Sequence, residues 1–192
     1  MEGFAELEAA FVEVGELAAD PAAELFGMAQ SVHELAQSNV HLYDLMFGLS
    51  IRGTHRPTPT NITDPPGRFA PCYRMMRAAS GRLVGTGRLQ PLSADNVAAE
   101  LMSVVHEFVT LEASGHFDGH LDPAHTVLRP LCARVLVGMG DDPERATSSV
   151  DNAVRWWADR KGFGTRINLT HGAKVVRPLS DKSSRAADPA AM

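Results

Sequence analysis

A chain of 192 residues, 44% of them hydrophobic, can bury one sizeable core and fits a single domain with at most an appendage. Its net charge of -5 is unevenly spread: no Lys or Arg precedes Arg52, whereas carboxylates recur from Glu2 to Asp44, which makes the N-terminal third a poor candidate for a phosphate-binding surface. The C-terminal stretch reverses the sign with Arg160, Lys161, Arg166, Lys174, Arg177, Lys182 and Arg185, a weak basic patch at most. No apolar run approaches the ~18 residues of a membrane span, and no basic n-region followed by an apolar stretch opens the chain, so a soluble cytoplasmic protein is expected.

Phe4, Leu7, Phe11, Val14 and Ala18 recur at helical spacing, which predicts an amphipathic helix over 3–18 with an acidic outer face. Asp20-Pro21 restarts the chain, because Asp caps a helix N-terminus and Pro is favoured at its first position. The second helix carries Leu25, Met28, Ala29, Val32, Leu35 and Ala36 to about Ser38. Asn39 ends it or caps a shorter third helix that stops near Gly48. Residues 51–68 hold four prolines and two glycines, a density that admits no helix or central strand and predicts a long loop. A fourth helix places Phe69, Tyr73, Met76, Ala79 and Leu83 on one face and ends at Gly85 or Gly87.

The run from Ser93 to Phe117 has the longest helical periodicity without Pro or internal Gly, with Ser93 as its cap and Gly115 just past its end. Val97, Leu101, Val104, Val105, Phe108 and Leu111 form one stripe, and Ala98, Met102, Val109 and Ala113 a second beside it. Together they exceed the ~100° stripe of an ordinary surface helix, so cover is needed on two sides. Asp122-Pro123 starts the next helix, again widely apolar through Val127, Leu128, Leu131, Cys132, Val135, Leu136 and Met139, with Pro130 expected to kink or delay it. A last helix begins at Asp142-Pro143 and keeps Ala146, Val150, Val154 and Trp157 in register. Beyond Arg160 the register fails, and a polar, basic, mostly disordered tail is expected apart from a short apolar piece at 167–169. The reading is an all-α bundle of about seven helices over 1–160, followed by a tail over 161–192, with no strand alternation and no internal repeat.

The polar chemistry is sparse. Cys72 and Cys132 each stand among apolar residues of a helix and read as reduced, buried thiols. His116, Asp118, His120, Asp122 and His125 crowd one turn, yet their spacing lacks the convergence a metal site needs, and a solvated polar turn is the preferred reading. No phosphate loop, nucleophile elbow, paired-Cys motif or carboxylate pair is present, so neither an enzyme nor a cofactor or metal is expected. His106 falls at the margin of the apolar arc, either as an edge histidine with one hydrogen bond or as a polar anchor on a cavity wall. Glu112 falls inside the arc, between Leu101 and Val105. An unpaired carboxylate there is costly, and Arg129 and Arg134 on the following helix are its candidate partners in a structural salt link. The Met and aromatic inventory suits an adaptable apolar pocket as well as an ordinary core.

ELAQSNVHLYDLMFGLS (Glu34 to Ser50) resembles a segment of the regulatory domains of TetR/AcrR-family transcriptional regulators. GRLQPLSADNVAAELMSVVHEFVTLEASGHF (Gly87 to Phe117) is similar to a second signature of that domain, a Gly-Arg-Leu lead-in followed by a helix with a Trp-x-x-x-His-Gly-x-x-x-Leu-Glu pattern. His106 and Leu111-Glu112 match; Met102 and Glu107 replace the Trp and Gly. HTVLRPLCARVLVGMGDDPE (His125 to Glu144) is similar to the family's closing segment. The resemblance spans roughly residues 1–145 and implies an effector-binding and dimerising domain whose last two long helices form a four-helix bundle with a homodimer partner. It implies a cavity for a small hydrophobic effector, with Phe11, Tyr43, Met46, Phe47, Tyr73, Met76, Met102 and His106 as candidate ligand contacts. Val105, Val109, Glu112, Leu128, Leu131 and Val135 are the candidate dimer contacts. The family's helix-turn-helix head has no counterpart in this sequence, so DNA contact is expected only through such a head supplied elsewhere. The other readings are a stand-alone interaction protein that heterodimerises with or sequesters regulators and, more remotely, a helical-bundle enzyme or metal carrier using the His116–His125 turn.

Overall fold

The computed structural model describes residues 2–47, 67–117, 119 and 122–171, with side chains from Gly3 to Ala158. Among these residues it is all α, with no strand: α1 (Glu2–Leu17), α2 (Pro21–Ser38), α3 (Val40–Phe47), α4 (Ala70–Gly85), α5 (Ala94–Ala113), a π-helical turn (Ala124–Leu128), α6 (Arg129–Gly138) and α7 (Pro143–His171). The Pro-rich loop expected at 51–68 falls almost wholly outside the described residues, as do Asp118, His120 and the chain beyond His171. The chain divides into two compact units, 1–159 and 160–192.

The helix boundaries follow from short-range chemistry. The Asp20 carboxylate accepts from the amides of Ala22 (2.9 Å) and Ala23 (3.0 Å), satisfying donors that the first turn of α2 leaves without an intrahelical partner. Asn39 accepts from the Leu42 amide at 2.9 Å and Ser93 from that of Asn96 at 3.1 Å, starting α3 and α5. α5 closes at Gly115 (φ +79°): the Gly115 amide donates to the Glu112 carbonyl at 2.9 Å and that of His116 to Leu111 at 3.0 Å, the paired bonds of a Schellman motif. The ring of Pro130 would collide with the carbonyl four residues back and offers no N–H. The chain answers with a wider π turn, in which the Arg129 amide reaches the carbonyl of Ala124, and resumes as α6. The helical backbone of α7 runs to His171, past Arg160 where the apolar register ends.

α2 is the central helix, a role the width of the apolar stripes on α5 did not announce. It packs against α1, α3, α4 and α5, and even Glu24, Ser31 and His33 on it are buried. Gly27 permits the close crossing with α1: a Cβ there would stand 2.7 Å from Cγ1 of Val14. Glu24, buried on the α4 side, is met by Arg82 at 2.6 Å. Most of both stripes of α5 is covered within the one chain: Val97, Ala98, Leu101, Met102, Val105, Phe108 and Val109 are buried, whereas Val104 and Leu111 are half-buried and Ala113 is exposed.

Candidate functional site

His106, on the flank of α5, is the hub of an aromatic cluster built from four helices. Its ring lies 4.2 Å from that of Phe47, 5.6 Å from Tyr43 and 6.4 Å from Phe69, centroid to centroid. Phe69 in turn meets Tyr73 at 6.5 Å, and Phe4 of α1 closes the group against Phe47 at 5.9 Å. α3 brings Tyr43 and Phe47 to one side because they stand four residues apart, one above the other on a helix face. The Tyr43 hydroxyl is hydrogen-bonded to His106 Nδ1. Burial lowers the His106 pKa to about 4 and pushes the Tyr43 hydroxyl far above its usual value, so both groups are neutral at pH 7. Nε2 of His106 has no hydrogen-bond partner among the described residues, and Phe47, Phe69 and Tyr73 are only half-buried. The arrangement is an apolar, aromatic surface with one hydrogen-bonding imidazole at its centre.

Of the eight expected ligand contacts, the structure brings Tyr43, Phe47, Tyr73 and His106 into this one cluster. Met46 stands beside them on α3, against Gly3. Phe11, Met76 and Met102, at 0%, 1% and 7% exposure, lie in the core. Phe4 and Phe69 belong to the cluster but stood in the sequence only as apolar positions of amphipathic helices; their meeting depends on how α1 and α4 cross.

A second polar feature joins α2 to the C-terminal end of α5. Glu112 has a partner, but not Arg129 or Arg134: its Oε2 accepts from His33 Nε2 at 2.8 Å and from Gln37 Nε2 at 2.6 Å. Arg129 instead donates to His125 at 3.2 Å, and Arg134 is exposed. The His33 ring packs on Phe108 (5.6 Å), which stacks on Phe117 (5.2 Å). Beside this seam opens a cleft of about 490 Å³ lined by Ala36, Gln37, Val40, Val109, Glu112, Ala113, Phe117 and Pro123. His33 and Gln37, unmarked by the sequence reading, stand four apart on α2 and so share one helix face.

The third feature is a buried charge cluster at the corner where the α1–α2, α4–α5 and α6–α7 connections meet. Arg88 grips Asp141 with two bonds of 3.0 and 2.7 Å, reaches Asp20 at 3.1 Å and donates to Ser149 at 3.2 Å. Ser149 donates on to Asp20 at 3.0 Å. The Arg88 side chain is 7% exposed and that of Asp141 fully buried; the bonds to Asp141 raise the Arg88 pKa further. These contacts hold a corner rather than a ligand.

The expected dimer contacts divide in two. Val105, Val109 and Leu128 are buried within their own chain, and the Glu112 carboxylate is bonded to His33 and Gln37 on α2. Leu131 and Val135 are half-buried and, with Val127, form an apolar stripe at i, i+4, i+8 along the π turn and α6. Val104 and Leu111 give α5 a half-buried edge of its own. Cys72 and Cys132 are free and buried, and burial pushes their thiols up to about 11 and about 12, so neither is a reactive thiolate. Among the described residues no cluster of His, Cys, Asp or Glu is arranged to hold a metal, and no helix is long and apolar enough to cross a membrane.

The family model described as "Tetracyclin repressor-like, C-terminal domain" matches residues 25–135. Neither the curated proteins nor the solved structures contain a match to the chain.

Proposed function

Because the chain belongs to the tetracyclin repressor-like C-terminal-domain family, matched over more than half its length, we propose that it is the effector-binding and dimerising part of a transcriptional regulator. Its effector is a small, mainly hydrophobic molecule carrying at least one hydrogen-bonding group. The observation that carries this reading is His106: a neutral imidazole fixed through Nδ1 by Tyr43, with Nε2 unpartnered among the described residues, amid half-exposed aromatic rings. A few placed polar groups in an aromatic lining are what orients a small ligand. The ligand rests on Phe47, Phe69 and Tyr73, and His106 reads its polar group. DNA contact requires a head outside these helices.

The dimer face is the stripe Val127, Leu131 and Val135, flanked by Val104 and Leu111. Apolar side chains left half-covered on the α5–α6 pair support that choice. Light scattering after size exclusion tests it: a dimer is expected, and Leu131→Glu shifts it towards monomer. A strict monomer at high concentration overturns it. For the effector, a thermal-shift screen of small apolar alcohols and ketones should yield saturable binders that Phe47→Ala and His106→Ala each weaken about tenfold, a loss of about 1.4 kcal/mol. Binders indifferent to both substitutions would move the site elsewhere.

A further inference from the structure

We propose that the cleft beside Glu112 is a second ligand site, separate from the His106 cluster and selective for small amphipathic organic cations, an ammonium group on an apolar body. Its polar end is a carboxylate held in place. Oε2 of Glu112 takes two hydrogen bonds, from His33 and Gln37, while Oε1 has no partner among the described residues. Neither donor is a permanent cation, and no Lys or Arg lines the cleft among the described residues, so no permanent cation there offsets the carboxylate. His33 is itself more than nine-tenths buried, its Nδ1 has no partner, and its ring is wedged against Phe108. It therefore fixes the carboxylate rather than competing for a ligand.

Beside the carboxylate, Val40, Phe117 and Pro123 give apolar surface for the ligand's body, with Ala36 and Val109 buried behind it. A volume of about 490 Å³ lies within the range of small-molecule sites and is too small for a folded partner. Charge sets the selectivity. An ammonium meets Glu112, a neutral molecule of the same shape gains only the wall, and a carboxylate is repelled.

Calorimetric titration of the full chain with octylammonium, octanol and octanoate tests this, since the three share one apolar body. Octylammonium is expected to bind at least about tenfold more tightly than octanol, and octanoate most weakly, a spacing of one charge-assisted bond. Glu112→Gln should abolish the preference for the cation while leaving octanol binding in place. Because that substitution also touches the α2–α5 seam, Val40→Arg provides a second reading: Val40 is 42% exposed, so a cation planted there should weaken octylammonium binding without shifting Tm. Phe47→Ala should leave octylammonium binding unchanged, which separates this cleft from the aromatic cluster. Equal affinity for the ammonium and the alcohol, or a cation preference that survives Glu112→Gln, overturns the proposal.

Discussion

Acidification should destabilise this fold through His106 specifically, and the size of the effect follows from its burial. In the folded chain the imidazole takes a proton only near pH 4, because burial among Tyr43, Phe47 and Phe69 removes the water that would solvate the cation. In the unfolded chain it takes one near the ordinary value of 6.5. Between those pH values the unfolded state binds the extra proton, so stability falls as pH falls. The contribution is whole above about pH 6.5 and spent by about pH 4. A separation of about 2.5 pH units at about 1.4 kcal/mol per unit gives about 3 kcal/mol. Urea unfolding followed by far-UV circular dichroism at stepped pH, on the native chain and on His106→Gln, isolates this group from the carboxylates common to both. The native chain should lose about 3 kcal/mol more than the variant between pH 7 and pH 4. Parallel pH profiles would refute the reasoning, for they would mean that the imidazole is solvated in the folded state.

Two further substitutions bear on the frame. Arg88→Met should cost about 3–5 kcal/mol in urea unfolding, because it leaves the fully buried Asp141 carboxylate without its cation; Asp141→Asn together with Arg88→Met should recover part of that loss. Gly27→Ala would ordinarily help a helix by about 1 kcal/mol, but the added methyl meets Val14, stiff at χ1 and 1% exposed, so a net loss of about 1–3 kcal/mol is expected as a lowered Tm.

Helix starts and stops were readable because they depend on neighbours in sequence: Asp20, Asn39 and Ser93 each cap the helix that follows, and Gly115 takes the left-handed backbone that ends α5. Partners across the fold were not. That Glu112 needed a partner was clear from the apolar arc around it, yet the donors lie on α2, 79 and 75 residues away, and only the crossing of α2 with α5 selects them over Arg129. The same limit applies to the two stripes on α5. Their combined width showed that something covers Val105 and Val109 but not whether the cover is another subunit or, as found, the chain's own core. α7 outlasts its apolar register because a helix can extend on backbone hydrogen bonds after its buried face has ended. The aromatic cluster was half legible, since Tyr43, Phe47 and His106 came with the resemblance, whereas Phe4 and Phe69 joined only through packing.

The corner held by Arg88 bears on where this domain can be cut. The family match runs from 25 to 135, but all three groups that Arg88 grips, Asp20, Asp141 and Ser149, lie outside it. A fragment trimmed to the matched residues would keep the guanidinium and discard every one of its anchors. A piece that folds on its own is therefore expected to be longer than the family boundary at both ends. It must reach from before Asp20 to beyond Ser149, and the bond between those two, 129 residues apart in sequence, can close only after the intervening helices have assembled.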